Sequence, residues 1–175
     1  MTIRAADHFA LFGLEPRFAL DVEALEQAYR RVQEQVHPDR FATASAAERR
    51  VAMQWAARAN EAFQTLRSPL RRAAYLCERH GAPIHAESNT QMPEAFLAQQ
   101  LALREALDEA RGDRDPAALA RLRDEIRRSR EHTLAALAAA LDREGDYRRA
   151  AELVRQLMFI EKFGAEVAAA EFEAA

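Results

Sequence analysis

Apolar residues return every three to four positions through most of this chain, and proline or glycine breaks the pattern about once per helix length. Val22, Leu25, Ala28, Tyr29, Val32 and Val36 trace one stripe, and Ala52, Trp55, Ala59, Ala62, Phe63 and Leu66 trace another. Both have the 3.6-residue period of an amphipathic helix. Alternation of period two is hard to find, so a sheet has little to build from and the chain reads as all-α. Composition agrees: 175 residues hold only 5 Gly and 6 Pro, and Ala, Leu, Arg and Glu, all good helix formers, dominate.

The boundaries follow from caps and breakers. Asp7 to Leu14 is a short apolar segment with Phe9, Leu11, Phe12 and Leu14, long enough for one or two turns, and Glu15-Pro16 ends it. Asp21 can N-cap the helix that carries the first stripe, with Glu23 well placed for its dipole. Pro38 stops that helix. Ser45 and Glu48 form a capping-box pattern that starts the next. The two helices, with a loop of about eight residues between them, are predicted to pack as an antiparallel hairpin, with Tyr29, Trp55 and Phe63 as its core aromatics. Ser68-Pro69 opens a further helix, with Leu70, Ala73, Ala74 and Cys77 on its stripe, and Gly81 is its C-cap.

Residues 81–92 lack periodicity and read as a connector. Three long helical patterns follow: Pro93 to about Arg111, closed by Gly112; from the Asp115-Pro116 cap to about Arg143; and Tyr147 to about Phe172. Short turns between three long helices predict a small antiparallel bundle.

His37-Pro38-Asp39 lies in the loop of the predicted hairpin. Taken alone it is a polar turn. It has no Ser or Cys nucleophile beside it, and His8, His80, His85 and His132 lack ligand spacing with His37. A small helical enzyme or metal protein using His37 and Asp39 is therefore the weaker reading. Its context is more telling. A short apolar helix, a helix carrying AYRRV, the HPDRF loop and a long helix leading into NEAFQTLRSPLRRAAY occur in that order over residues 7–80. The arrangement resembles a J-domain, the module that makes a DnaK-type chaperone hydrolyse ATP. The resemblance implies that His37, Pro38 and Asp39 form the loop that engages the chaperone, with Arg30, Arg31 and Arg40 as its basic surroundings. Glu34 and Val36 depart from the common pattern, which favours a basic helix face and an aromatic residue at those places.

The phrases HFALFGLEPRFALD, QTLRSPLRRAAYL and FLAQQLALREALDE, together with the helical C-terminal half, resemble the HscB family of iron–sulfur co-chaperones over nearly the whole chain. The implied fold is all-α: an N-terminal J-domain hairpin with flanking short helices over residues 1–80, and a three-helix antiparallel bundle over residues 93–175 that binds the scaffold. The implied partners are the DnaK-type chaperone HscA and the scaffold protein IscU. A J-protein serving a different client is the nearest competitor.

The bundle has its own candidate surface. With Phe96 at zero on a helical wheel, Gln100, Leu103, Leu107 and Ala110 fall within roughly 40° and face inward. Leu97 and Leu101 lie near 100° and 140°, and Glu105 and Glu109 at roughly 180° and 220°. On the last helix Tyr147, Ala150, Val154, Leu157 and Met158 cluster on one side, which leaves Phe159 as an exposed aromatic off that cluster. Apolar residues turned outward beside carboxylates suit a partner. The resemblance points to the same residues, Leu97, Leu101, Glu105, Glu109 and Phe159, as the scaffold-binding patch, and it places Ala98 and Ala102 where relatives carry Met and Glu.

Other classes are disfavoured. Residues 1–80 carry 12 Arg against 10 Asp plus Glu, and residues 81–175 carry 13 Lys plus Arg against 18 Asp plus Glu. Neither half is basic enough for nucleic acid. The lone Cys77 excludes an internal disulfide and a cysteine-built metal site. No apolar run of about 18 residues spans a membrane, and Asp7 and His8 interrupt any signal-like start. The expectation is a cytoplasmic protein with no cofactor and no metal.

Overall fold

The computed structural model describes residues 7–37, 40, 44–84 and 93–174, and among these no strand occurs. The chain divides into two compact units, Met1–Leu76 and Cys77–Ala175. The described helices are α1 (His8–Leu11), α2 (Val22–Val36), α3 (Ala46–Arg67), α4 (Pro69–Arg79), α5 (Glu94–Gly112), α6 (Pro116–Ala139) and α7 (Tyr147–Ala174).

In the first unit the helix starts are set by side-chain caps, which satisfy backbone N–H groups that have no partner within the helix. Asp21 accepts from the N–H groups of Glu23 and Ala24 at 2.9 and 3.2 Å. At α3 the capping box is complete: Ser45 Oγ accepts from the Glu48 N–H, and the Glu48 carboxylate accepts from the Ser45 N–H at 2.8 Å. The bonds from Ser45 hold the Glu48 carboxyl below its ordinary range. The first helix is shorter than its apolar segment, because Gly13 takes a left-handed φ of 67° and turns the chain before Glu15-Pro16 is reached.

α1 and α2 both pack against α3. The core between them holds Phe9, Phe12, Phe18, Leu25, Phe63 and Leu66. Of the three aromatics expected there, only Phe63 is fully buried; Tyr29 and Trp55 are half-buried. The phenylalanines before α2 fill the centre instead. Tyr29 lies flat on Phe63 with ring centroids 4.1 Å apart, which leaves its hydroxyl at the surface, where it bonds Asn60. Buried Arg72 of α4 donates to the Leu66 carbonyl at 2.6 Å and stands over the Phe18 ring, so the end of α3 is satisfied from α4. Tyr75 ties α4 to the start of α1: its hydroxyl donates to Asp7 and accepts from the His8 N–H. The His8 ring stacks on Tyr75 at 4.3 Å, and burial lowers its pKa, opposed by nearby Glu61 and reinforced by Arg58.

The second unit is a bundle of α5, α6 and α7, with α6 packed along most of α7. Leu103, Leu107, Leu119, Leu122, Ile126 and Phe163 are among its buried residues. Burying side chains of this size stabilises by about 1.5–3 kcal/mol each. Asp115 caps α6, accepting from Ala117 and Ala118. Gly112 does not close α5 as expected; it stays helical, and Arg114 takes the left-handed turn at φ 51° while the Asp115 N–H reaches back to the Ala110 carbonyl. The α-helix of α6 gives way at Ala140 to a π turn, Ala140–Glu144, which Gly145 ends at φ 66°. Surface pairs such as Arg123–Glu171 at 3.0 Å and Arg130–Glu161 at 3.4 Å join α6 to α7; exposed pairs of this kind contribute little. Cys77 is buried, and burial together with nearby Glu78 pushes its thiol up to about 11.

Candidate functional site

The proline after α2 forces His37 into an extended conformation, φ −58° and ψ 133°, so the helix stops abruptly and His37 is exposed at its end. Pro38 and Asp39, with Phe41, lie outside the described residues. Arg40 is exposed; its N–H bonds the His37 carbonyl at 3.0 Å, and its guanidinium reaches the Glu34 carbonyl at 3.4 Å. Arg30, Arg31 and Glu34 are all exposed on α2. Tyr29, Arg30, Gln33, Glu34 and His37 line a shallow concavity of about 450 Å³. The carboxylate of Glu34 therefore sits on the same face as Arg30, one turn away, which tempers the positive charge there.

On α5 the wheel separates its faces as expected. Gln100, Leu103, Leu107 and Ala110 are buried. Leu97 and Leu101 are 51% and 60% exposed, and Glu105 and Glu109 are exposed. Spaced four residues apart, these four form one stripe that drifts slowly around the helix.

Phe159 is a correction. It is half-buried, not exposed, and packs on the bundle core. Phe96 meets it edge-on at 5.9 Å, Phe163 lies 6.1 Å away, and the Arg104 guanidinium stands 5.4 Å over its ring. Met158, expected inward, is 39% exposed instead. The buried stripe of α7 runs through Val154, Leu157, Ile160 and Phe163, which turns Met158 out and draws Phe159 partly in. Phe96 and Arg104 are thus the neighbours of Phe159 on α5. Arg104 was legible only as the residue three positions after Leu101, on the same side of α5.

Among the described residues, no group of three or more His, Cys, Asp or Glu is placed to hold a metal ion, and no helix is long and apolar enough to cross a membrane.

Residues 92–168 match the family described as the HSCB C-terminal oligomerisation domain. The co-chaperone protein HscB homolog of Bordetella pertussis is 58% identical over 167 residues, covering 95% of this chain and 97% of its own length. Among solved structures, the chaperone HscB from Vibrio cholerae superposes with a TM-score of 0.84 at 37% identity, over 97% of this chain and 100% of its own. The human co-chaperone HscB shares the fold, with a TM-score of 0.89 at 24% identity over 96% of this chain and 83% of its own. An all-α architecture, an HPD sequence at the end of α2, a bundle with an outward leucine stripe, and relatives of this closeness along nearly the full length place the chain in one family: it belongs to the HscB co-chaperones.

Proposed function

We propose that the chain is a tethering adaptor in iron–sulfur cluster assembly. Its N-terminal unit stimulates the ATPase of the DnaK-type chaperone HscA, through His37, Pro38 and Asp39 with Arg30, Arg31 and Arg40 around them. Its bundle delivers the scaffold protein IscU, through Leu97, Leu101, Glu105, Glu109 and Phe159. The chain does no chemistry itself; hydrolysis occurs at the chaperone's own site, in the cytoplasm. Holding both partners on one chain raises their effective concentration, and the arginines steer encounter with an acidic surface.

The observation that carries this reading is the exposure of Leu97 and Leu101 on a helix whose other leucines, Leu103 and Leu107, are buried. Two large apolar side chains held in water beside carboxylates favour a protein partner. The test measures HscA ATPase with and without IscU, for the wild type and for His37→Gln. Stimulation by the wild type and its loss in the variant are expected. Equal stimulation by both would end the J-domain reading.

A further inference from the structure

The half of α2 that leads to His37 is thinly anchored. Leu25 and Ala28 are its buried residues, and none of its described residues after Ala28 is fully buried. Val32 and Val36 are only half-buried. No basic residue lies in its last turn to complement the helix dipole. A helix end with few buried contacts frays, yet a loop that presents His37 to a partner needs a fixed starting point.

One hydrogen-bonded triangle closes across this stretch. The Tyr29 hydroxyl donates to Asn60 Oδ1 at 2.6 Å. Gln33 Nε2 donates one hydrogen to the same oxygen at 2.7 Å and the other to the Tyr29 hydroxyl at 2.8 Å. The donors and acceptors fit: one amide oxygen takes two bonds, and one amide nitrogen gives two. Tyr29 is fixed by its stack on Phe63 and by the edge of Phe12. Asn60 stands on α3, and Gln33 lies one turn before His37 on the same face of α2. The triangle therefore joins the last two turns of α2 to α3.

We propose that Asn60, acting with Tyr29 and Gln33, is a positioning residue for His37: it pins the end of α2, so that His37 is presented to the chaperone from a fixed helix end. This rests on the chaperone reading above. The effect falls on productive engagement, since none of the three is required to touch the reacting groups.

The test compares Asn60→Leu, which removes the acceptor, with Asn60→Asp, which keeps it, in the full-length chain. Stimulation of the HscA ATPase is titrated for each. Asn60→Leu is expected to need about fivefold more protein for half-maximal stimulation, in line with the loss of one or two net hydrogen bonds, while its maximal stimulation stays near that of the wild type. Asn60→Asp is expected to stay within about twofold. Amide hydrogen exchange gives a readout that needs no chaperone. Asn60→Leu should speed exchange at residues 33–37 and leave residues 25–28 unchanged; Asn60→Asp should do neither. If the wild type fails to stimulate, the chaperone reading falls and exchange alone decides whether the triangle pins the helix. The proposal is overturned if Asn60→Leu matches the wild type in titration, if Asn60→Asp is as damaged as Asn60→Leu, or if exchange rises uniformly over α2.

Discussion

The ring of Phe159 stands edge-on to that of Phe96, the two centroids 5.9 Å apart and the planes at 85°. This is a favoured aromatic geometry, and it joins α7 to α5 where the leucine stripe begins. Phe159 therefore packs within the fold in a way that Leu97 and Leu101 do not. Leu97→Ala and Leu101→Ala are each expected to weaken IscU binding about tenfold while changing stability by no more than about 0.5 kcal/mol. Phe159→Ala is expected to weaken binding and also to destabilise the fold by about 2 kcal/mol, since most of a large side chain is covered. Calorimetric titration with IscU and urea denaturation separate the two effects. A Phe159→Ala variant as stable as the wild type would show that its packing contributes nothing.

Acid should find a weak point at His8. Burial lowers its pKa in the folded state below the ordinary value of 6.5. The folded protein then binds fewer protons than the unfolded chain, so the associated stability is complete above 6.5 and falls as pH drops toward the lowered folded value. Thermal denaturation of the wild type and of His8→Phe between pH 7.5 and 5 tests this. The wild type should lose more of its Tm than the variant, and parallel curves would remove His8 from the account.

Cys77 should be inert. Its thiol is buried, with a pKa of about 11, and only the thiolate reacts readily. At pH 8 a disulfide reagent should label the native protein many times more slowly than the urea-unfolded chain. Equal rates would mean that the site opens freely.

Two glycines should respond in opposite directions. Gly112 is helical with open space around its α-carbon, so Gly112→Ala should stabilise by up to about 1 kcal/mol. Gly145 holds φ at 66° after the π turn, and Gly145→Ala should destabilise by about 1–2 kcal/mol. Urea midpoints for the pair, measured side by side, check both signs.

The helix starts of this fold were legible because Asp21, Ser45 and Asp115 act within three residues of themselves, and local chemistry is what a linear sequence displays. The wheel sorted α5 correctly because a single helix with one buried side obeys one period. It failed at the junctions. The π turn at Ala140–Glu144 inserts a change of pitch that no single residue announces. Tyr29 and Trp55 give up the centre of the core because the phenylalanines that fill it, Phe9, Phe12 and Phe18, belong to neither stripe. Phe159 was misread because its surroundings include Phe96 and Arg104 on another helix. The Tyr29–Gln33–Asn60 triangle spans α2 and α3, and only its Tyr29–Gln33 side has a sequence spacing to betray it.

The leucines of α5 divide into two pairs. Leu103 and Leu107 hold the bundle together, and Leu97 and Leu101 stand clear of it. The proposed adhesion to a client and the cohesion of the fold are thus written on different letters of the same helix. On the function proposed above, client preference is free to drift by single substitutions at Leu97, Ala98, Leu101 and Ala102, all exposed, without putting the fold at risk, and the same four positions are where a protein engineer would begin in order to redirect the chain to another cargo.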